Sequence, residues 1–227
     1  LGIPAVFLRL AACNLNCNGF SYRDPNTNEQ LGCDSKAVWR QGARWSNQQL
    51  LEHFQNEGWC DALNNGAHLV ITGGEPLIQQ TKLLGFIEAL DQMLDAPAFC
   101  EVETNATIAL EPALLTRLNQ INASPKLRHS AEPDDKRYHP QVIQQLLTHK
   151  QSVFKFVVAS LTDFDEIIAD YIKALNLPKQ RILIMAEGGS QKVLQSRLPW
   201  LIDACKKHGL RYTPRLQIDI WNEVTGV

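Results

Sequence analysis

This 227-residue chain has no Lys/Arg-rich run, and its 22 basic and 24 acidic residues leave a net charge of -2. The electrostatic footprint of a nucleic-acid binder is therefore missing, and a small-molecule partner fits better than tRNA or DNA. No apolar run approaches the roughly 18 residues that span a bilayer. No charged start followed by an apolar block marks a signal peptide. A soluble, cytoplasmic protein with no membrane partner is expected. The first residue is Leu1 and not methionine, so a preceding segment is expected too, and a targeting signal within it would be invisible. Internal repeats, low-complexity tracts and linkers are lacking. With 44% hydrophobic and 20% charged residues, the whole span 1–227 is expected to form one domain with a sizeable core.

Nor is there the dense, even cysteine framework that staples small secreted domains. Of the six cysteines, Cys13, Cys17 and Cys33 crowd near the start, while Cys60, Cys100 and Cys205 are scattered. The scattered three read as small buried hydrophobes. The crowded three suggest metal.

Short apolar runs alternate with longer amphipathic ones, the pattern of repeated βα units around a parallel sheet. Strands are predicted at Ala5–Leu10, His68–Thr72, Phe99–Glu103, Gln120–Ala123, Ser152–Val158, Arg181–Ala186 and Leu210–Leu216. Helices are predicted at Asn47–Glu57 after a Ser46 cap, Thr81–Leu94, Pro112–Leu118, Pro140–Leu147, Thr162–Leu175, and Gln191–His208 after a Ser190 cap. The polar stretch Asn18–Gly32 reads as a surface loop. This is an α/β chain with a mostly parallel sheet, a (βα) barrel or partial barrel, whose chemistry gathers at the C-terminal ends of the strands.

Cys13 and Cys17 directly follow the first strand, and Cys33-Asp34-Ser35 closes the polar loop. Thiolates are soft ligands that hold iron, and a 4Fe-4S cluster with three protein ligands leaves one iron open for another molecule. Fifteen residues separate Cys17 from Cys33, so spacing alone is weak. A structural zinc site is the competing reading. Zinc normally takes four protein ligands, and the first histidine, His53, lies inside a predicted helix. Thr72-Gly73-Gly74-Glu75-Pro76 sits at the end of the second strand, where two glycines let backbone approach a ligand closely.

These residues carry a resemblance. Gly73-Gly74-Glu75-Pro76 is the GGEP motif of radical S-adenosylmethionine (SAM) proteins. Phe7-Leu8-Arg9-Leu10, Cys33-Asp34-Ser35, Glu101-Val102-Glu103-Thr104-Asn105, Ala123-Ser124-Pro125-Lys126-Leu127, Phe154-Lys155-Phe156-Val157-Val158, Pro214-Arg215-Leu216-Gln217, Trp221 and Gly226-Val227 follow one another in order. In that order the chain resembles the 7-carboxy-7-deazaguanine synthase family over essentially its whole length.

The resemblance implies a single-domain partial (βα) barrel of the radical SAM type. It implies conversion of 6-carboxy-5,6,7,8-tetrahydropterin to 7-carboxy-7-deazaguanine plus ammonia, a lyase step of queuosine and 7-deazapurine biosynthesis. A reduced cluster would cleave bound SAM, the resulting radical would take a hydrogen from C6 of the pterin, and the ring would contract, with SAM regenerated. Cys13, Cys17 and Cys33 would ligate the 4Fe-4S cluster. Gly73, Gly74, Glu75, Ser124, Pro125, Lys126, Met185, Ala186 and Glu187 would line SAM. Arg9, Thr72, Glu103, Gln217 and the C-terminal carboxylate of Val227 would contact the pterin, and Ser35 would bind Mg²⁺ through its hydroxyl, a hard oxygen that this ion favours. A guanidinium such as that of Arg9 can grip the substrate carboxylate with two hydrogen bonds. A reducing partner such as a flavodoxin and a homodimer are implied as well.

Three departures from the family pattern stand out: Ser35 where threonine is frequent, the long segment before Cys33, and Gln217 where histidine is frequent. A Gly-Glu-Gly segment is also expected before Gly2. Two alternatives stay open at this point. One is a different small radical SAM enzyme of the activase type, and the other is a non-catalytic zinc or iron–sulfur module.

Overall fold

The computed structural model describes residues 2–24, 27–222 and Val224; the expected pterin contact of Val227 lies outside the described residues. Seven strands form one parallel sheet: β1 (Ala5–Leu10), β4 (His68–Gly73), β5 (Cys100–Thr104), β6 (Gln120–Ala123), β7 (Ser152–Val158), β8 (Ile182–Ala186) and β9 (Arg211–Tyr212), in the order β1-β4-β5-β6-β7-β8-β9. Two more strands, β2 (Tyr22–Arg23) and β3 (Gln30–Gly32), pair antiparallel in a small separate hairpin. The helices are α1 (Lys36–Trp39), α2 (Asn47–Asn56), α3 (Trp59–Asn64), α4 (Gln80–Asp91), α5 (Pro112–Arg117), α6 (Asp134–Arg137), α7 (Pro140–Thr148), α8 (Leu161–Glu166), α9 (Gln191–His208) and α10 (Leu216–Trp221). β1 and β9 are the outer strands of an open sheet among the described residues, so the fold is a partial barrel. No helix among these residues is long and apolar enough to cross a membrane.

Period-two alternation assigns the two faces of the sheet. Leu69, Ile71, Cys100, Val102, Ile121, Phe154, Phe156, Ile182 and Ile184 are buried and pack with helix residues such as Phe86, Ile87, Leu114, Ile143 and Leu201 into one continuous core. The intervening residues, among them Arg9, Glu101, Glu103, Asn122 and Lys155, line the more open face. Cys100 and Cys205 are buried in the core, as small hydrophobes should be, and Cys60 packs against it.

Most predicted elements fall within a residue or two of their observed bounds, and α9 coincides with its prediction. Ser46 caps α2 through a capping box with Gln49. The exceptions have physical causes. The expected strand Leu210–Leu216 is confined to Arg211–Tyr212, and Leu216 opens α10. Pro214 has no amide to give to a ladder, so the strand stops before it. The expected surface loop Asn18–Gly32 carries the β2–β3 hairpin, short enough to leave no periodicity to read. The expected helix Thr162–Leu175 is α8 continued as a π-helix over Ile167–Lys173. α1, α3, α6 and α10, of four to six residues each, were not predicted, being too short to show a repeat.

A cysteine loop stitched into the mouth of the sheet

The C-terminal ends of β1 and β4 lie side by side, with Arg9 opposite Thr72 and Leu10 opposite Gly73. Beyond them the two chains stay in contact. The Gly74 amide donates to the Leu10 carbonyl at 3.2 Å, and the Glu75 amide to the Ala12 carbonyl at 2.9 Å. A side chain on Gly74 would put its Cβ 2.2 Å from the Ala12 oxygen and 2.7 Å from the Cys13 Cβ, which only glycine avoids. The glycine turn after β4 is therefore packed onto the first cysteine.

Glu75 is fully buried, and its carboxylate accepts three hydrogen bonds: from the Leu77 amide at 3.0 Å, the Thr104 hydroxyl at 2.9 Å and the Asn105 amide at 2.6 Å. Burial pushes its carboxyl above the usual range against those three donors. Asn105 then donates to the Asn14 side chain at 2.9 Å, and Asn14 to the Thr107 hydroxyl at 2.8 Å. Glu75 thus anchors the ends of β4 and β5 to the loop that carries Cys13. Its carboxylate faces this network, so the Gly73-Gly74 backbone is the part of the motif set against the cysteine loop.

All three cysteines of the loop are free thiols. Burial pushes the Cys17 thiol up to about 12, with smaller contributions from neighbouring charges that include Lys126, Cys33, Glu132 and Cys13. Burial also raises Cys13, which feels Glu75, Lys126 and Cys33. The three sulfurs share one electrostatic neighbourhood with Lys126, whose ammonium bonds the Ser124 carbonyl at 2.9 Å and the Ser124 hydroxyl at 3.2 Å. Among the described residues no three His, Cys, Asp or Glu side chains converge closely enough for a single metal ion. Zinc in a structural site normally takes four protein ligands. Three soft sulfurs on one loop suit a cluster, whose corners are spread more widely than the ligands of one ion. Ser35 holds its hydroxyl 3.2 Å from the Cys33 sulfur.

The open face beside the loop is charged. The Thr72 hydroxyl donates to Glu103 at 2.8 Å, and the Lys155 ammonium lies 3.5 Å from the other Glu103 oxygen. Arg9 reaches the Gly73 carbonyl at 3.4 Å. Burial alone would raise the Glu103 carboxyl, yet Lys155, the Thr72 hydroxyl and Arg9 hold it below its ordinary value. Two cations and one carboxylate thus share a patch at the strand ends. Lys155 was quoted above only as part of a family segment. Its signal was a lysine between Phe154 and Phe156 in a mostly apolar strand.

Other strand-end residues hold the loop from its far side. Glu187 accepts the Ser21 amide at 2.9 Å and the Ser21 hydroxyl at 2.6 Å, and pairs with Arg197. Burial raises its carboxyl, but Ser21 and Arg197 outweigh that and keep it below the usual range. Met185 and Ala186 lead into it along β8. The Ser124 amide donates to the Thr104 carbonyl at 2.7 Å, which places Ser124, Pro125 and Lys126 at the end of β6 beside β5. Arg215 pairs with Asp34 and donates to the Gly188 carbonyl at 3.0 Å, tying the segment after β9 to Cys33-Asp34-Ser35. Gln217 is exposed on α10, two residues beyond that tie. Arg9, Thr72, Glu103 and Lys155 therefore form one group, and Cys13, Gly74, Glu75 and Asn105 a second. Gln217 joins neither by direct contact.

Fold and candidate site together point to the class of α/β partial-barrel enzymes, with the candidate site at the C-terminal ends of a parallel sheet. No family model matches the chain. Among curated proteins it is similar to the 7-carboxy-7-deazaguanine synthase of Pyrobaculum aerophilum, 30% identical over 230 residues that cover 100% of this chain and 90% of that protein. It is also similar to the synthases of the same name from Rhodopirellula baltica, 28% identical over 96% of this chain and 79% of the relative, and Halobacterium salinarum, 27% identical over 98% and 84%. The chain belongs to the 7-carboxy-7-deazaguanine synthase family.

Proposed function

We propose that this enzyme forms 7-carboxy-7-deazaguanine and ammonia from 6-carboxy-5,6,7,8-tetrahydropterin, with the chain 1–227 acting as one domain. The observation that carries the reading is the packing of the Gly73-Gly74 turn onto Cys13, beside the Arg9, Thr72, Glu103 and Lys155 patch. Cys13, Cys17 and Cys33 would hold a 4Fe-4S cluster, and SAM would lie against Gly73, Gly74, Glu75, Ser124, Pro125, Lys126, Met185, Ala186 and Glu187. Ser35 would offer its hydroxyl to Mg²⁺. When bound, the cluster and SAM supply the one-electron chemistry that starts the ring contraction.

The chain's own residues bind and orient. Arg9 matches a carboxylate with two parallel N–H donors. Glu103, held ionised, accepts from the amino and ring N–H donors of a pterin edge. Thr72 fixes the rotamer of Glu103 through its hydroxyl. Lys126 balances the carboxylate of SAM. Gln217 and the Val227 carboxylate would complete the pterin contacts from the C-terminal segment. A flavodoxin-type reductant and a homodimer belong to the same reading.

The test is anaerobic reconstitution with iron and sulfide, then addition of dithionite, SAM, Mg²⁺ and the pterin, with product detected by mass spectrometry. Product is expected from the intact chain and none from Cys13→Ala, Cys17→Ala or Cys33→Ala. Cleavage of SAM with the pterin untouched would overturn the substrate, and zinc retained with no iron taken up would overturn the cofactor.

A further inference from the structure

Glu132, in the loop after β6, makes a contact for which its own neighbourhood in sequence gives no cue. One of its carboxylate oxygens accepts the backbone amides of both Asn16 and Cys17, at 2.6 and 2.5 Å, from residues 116 and 115 positions away. Cys17 has φ +50°, a left-handed conformation that a residue with a side chain rarely adopts. Such a conformation persists where the surroundings over-determine it. Here they do. Two residues on, the Gly19 amide donates to the Ser130 carbonyl at 3.0 Å, and a Cβ on Gly19 would sit 2.0 Å from the His129 oxygen. Phe20 packs edge-on against His129 at 5.1 Å, and His129 is in turn 3.0 Å from Asp163. The middle of the cysteine loop is thus pressed onto the Arg128–Ser130 turn and its continuation, with Glu132 gripping it at the cysteine itself.

The reduction potential of an iron–sulfur cluster is set by hydrogen bonds to its sulfurs, by local charge and by solvent exposure. Amides that donate to a carboxylate are not available to the sulfurs, and a nearby negative charge disfavours adding an electron. We propose that Glu132 is a positioning residue for the cluster: it fixes the Cys17 backbone, draws the Asn16 and Cys17 amides away from the sulfurs, and so keeps the reduction potential low. A low potential is what electron transfer to a sulfonium such as SAM demands. The inference rests on the iron–sulfur reading above.

Two variants separate the grip from the charge. Glu132→Gln keeps an acceptor oxygen and loses the charge, while Glu132→Ala loses both. In metal-free protein, amide hydrogen exchange across residues 14–18, followed by mass spectrometry, is expected to quicken several-fold in Glu132→Ala and little in Glu132→Gln. After reconstitution, Glu132→Gln is expected to hold the wild-type amount of iron with a midpoint potential shifted positive in an EPR-monitored titration. Glu132→Ala is expected to give up its iron to a chelator several-fold faster. A role in folding alone would leave the potential of a fully loaded Glu132→Gln protein unmoved. An unchanged midpoint in Glu132→Gln, or unchanged exchange in Glu132→Ala, overturns the proposal. If circular dichroism shows that Glu132→Ala does not fold, the midpoint of Glu132→Gln decides. Wild-type protein that takes up no iron would overturn the cofactor reading instead, and the exchange measurement on metal-free protein tells the two failures apart.

Discussion

Glu103 shows how a single carboxylate is tuned at the strand ends. Burial would neutralise it, and Lys155, the Thr72 hydroxyl and Arg9 keep it charged. Replacing Lys155 by methionine removes the main opposing cation and leaves burial less opposed, so the Glu103 carboxyl rises. The expected result is a KM for the pterin about three- to tenfold higher at neutral pH, allowing for a half-open patch that water partly screens. The acid limb of kcat/KM should move to higher pH, and Lys155→Arg should restore it. A profile unmoved by Lys155→Met would show that Lys155 does not act through Glu103. Candidate residues of this kind were legible where they stand in short, ordered segments: the three cysteines, the glycine turn and Arg9 are named by position along the chain. Glu132, Arg197 and the Asp34–Arg215 pair were not, because their partners lie elsewhere in the chain and only the folded sheet brings them together.

At the scale of elements, the strands were easier to read than the pieces between them. Most sheet strands alternate buried and more open residues, and β4 is instead a continuous buried run through Leu69, Val70 and Ile71; both patterns are read from local sequence. Turns such as α6 owe their existence to tertiary pairing instead. Arg137 of α6 is buried and bonds Glu166 of α8 at 2.7 Å and the Lys126 carbonyl at 2.9 Å. Arg137→Met would leave the buried Glu166 carboxylate with only the Arg128 amide at 3.0 Å and the exposed Arg128 guanidinium at 3.8 Å, for an expected loss of about 3 kcal/mol of stability, the low end for a broken buried pair. Thermal or urea unfolding of metal-free protein measures it, and a loss below ~1 kcal/mol would show that solvent reaches the pair. Ser46 is a smaller case. Its hydroxyl accepts the Gln49 amide at 3.2 Å, and Ser46→Ala is expected to cost about 1 kcal/mol in the same assay.

For the whole molecule, the balance of carboxylates sets the response to acid. Glu103, Asp163 and Glu187 are all held below their ordinary values against the upward push of burial: Asp163 by His129 and backbone amides, Glu187 by Ser21 and Arg197, and Glu103 by Lys155, Thr72 and Arg9. An acid with a depressed folded value adds stability above its unfolded value and loses it as pH falls through the folded one. Glu75 works in the opposite sense, since burial raises it, and its contribution is lost as pH rises through its folded value. Asp34, which burial would raise but Arg215 holds down, joins the first three, and four groups outweigh one. Metal-free protein is therefore expected to be less stable to urea at pH 3.5 than at pH 7, with the loss beginning below about pH 4.5, the ordinary range of these acids. A midpoint that held steady or rose on acidification would mean that Glu75 dominates.

The clasps on the cysteine loop also order events during synthesis. The residues that grip Ser21 and Asp34 come 166 and 181 positions later in the chain. A ribosome extends a chain at about 5–20 residues per second, so the thiols emerge well before Glu187 and Arg215 exist to seat them. Until then the Cys17 and Cys33 region has no finished mouth to dock in. Iron delivered to the nascent chain would meet three loosely placed sulfurs, and iron delivered after release would meet a loop already seated. If the loop holds the proposed cluster, loading is expected as a late, post-translational step.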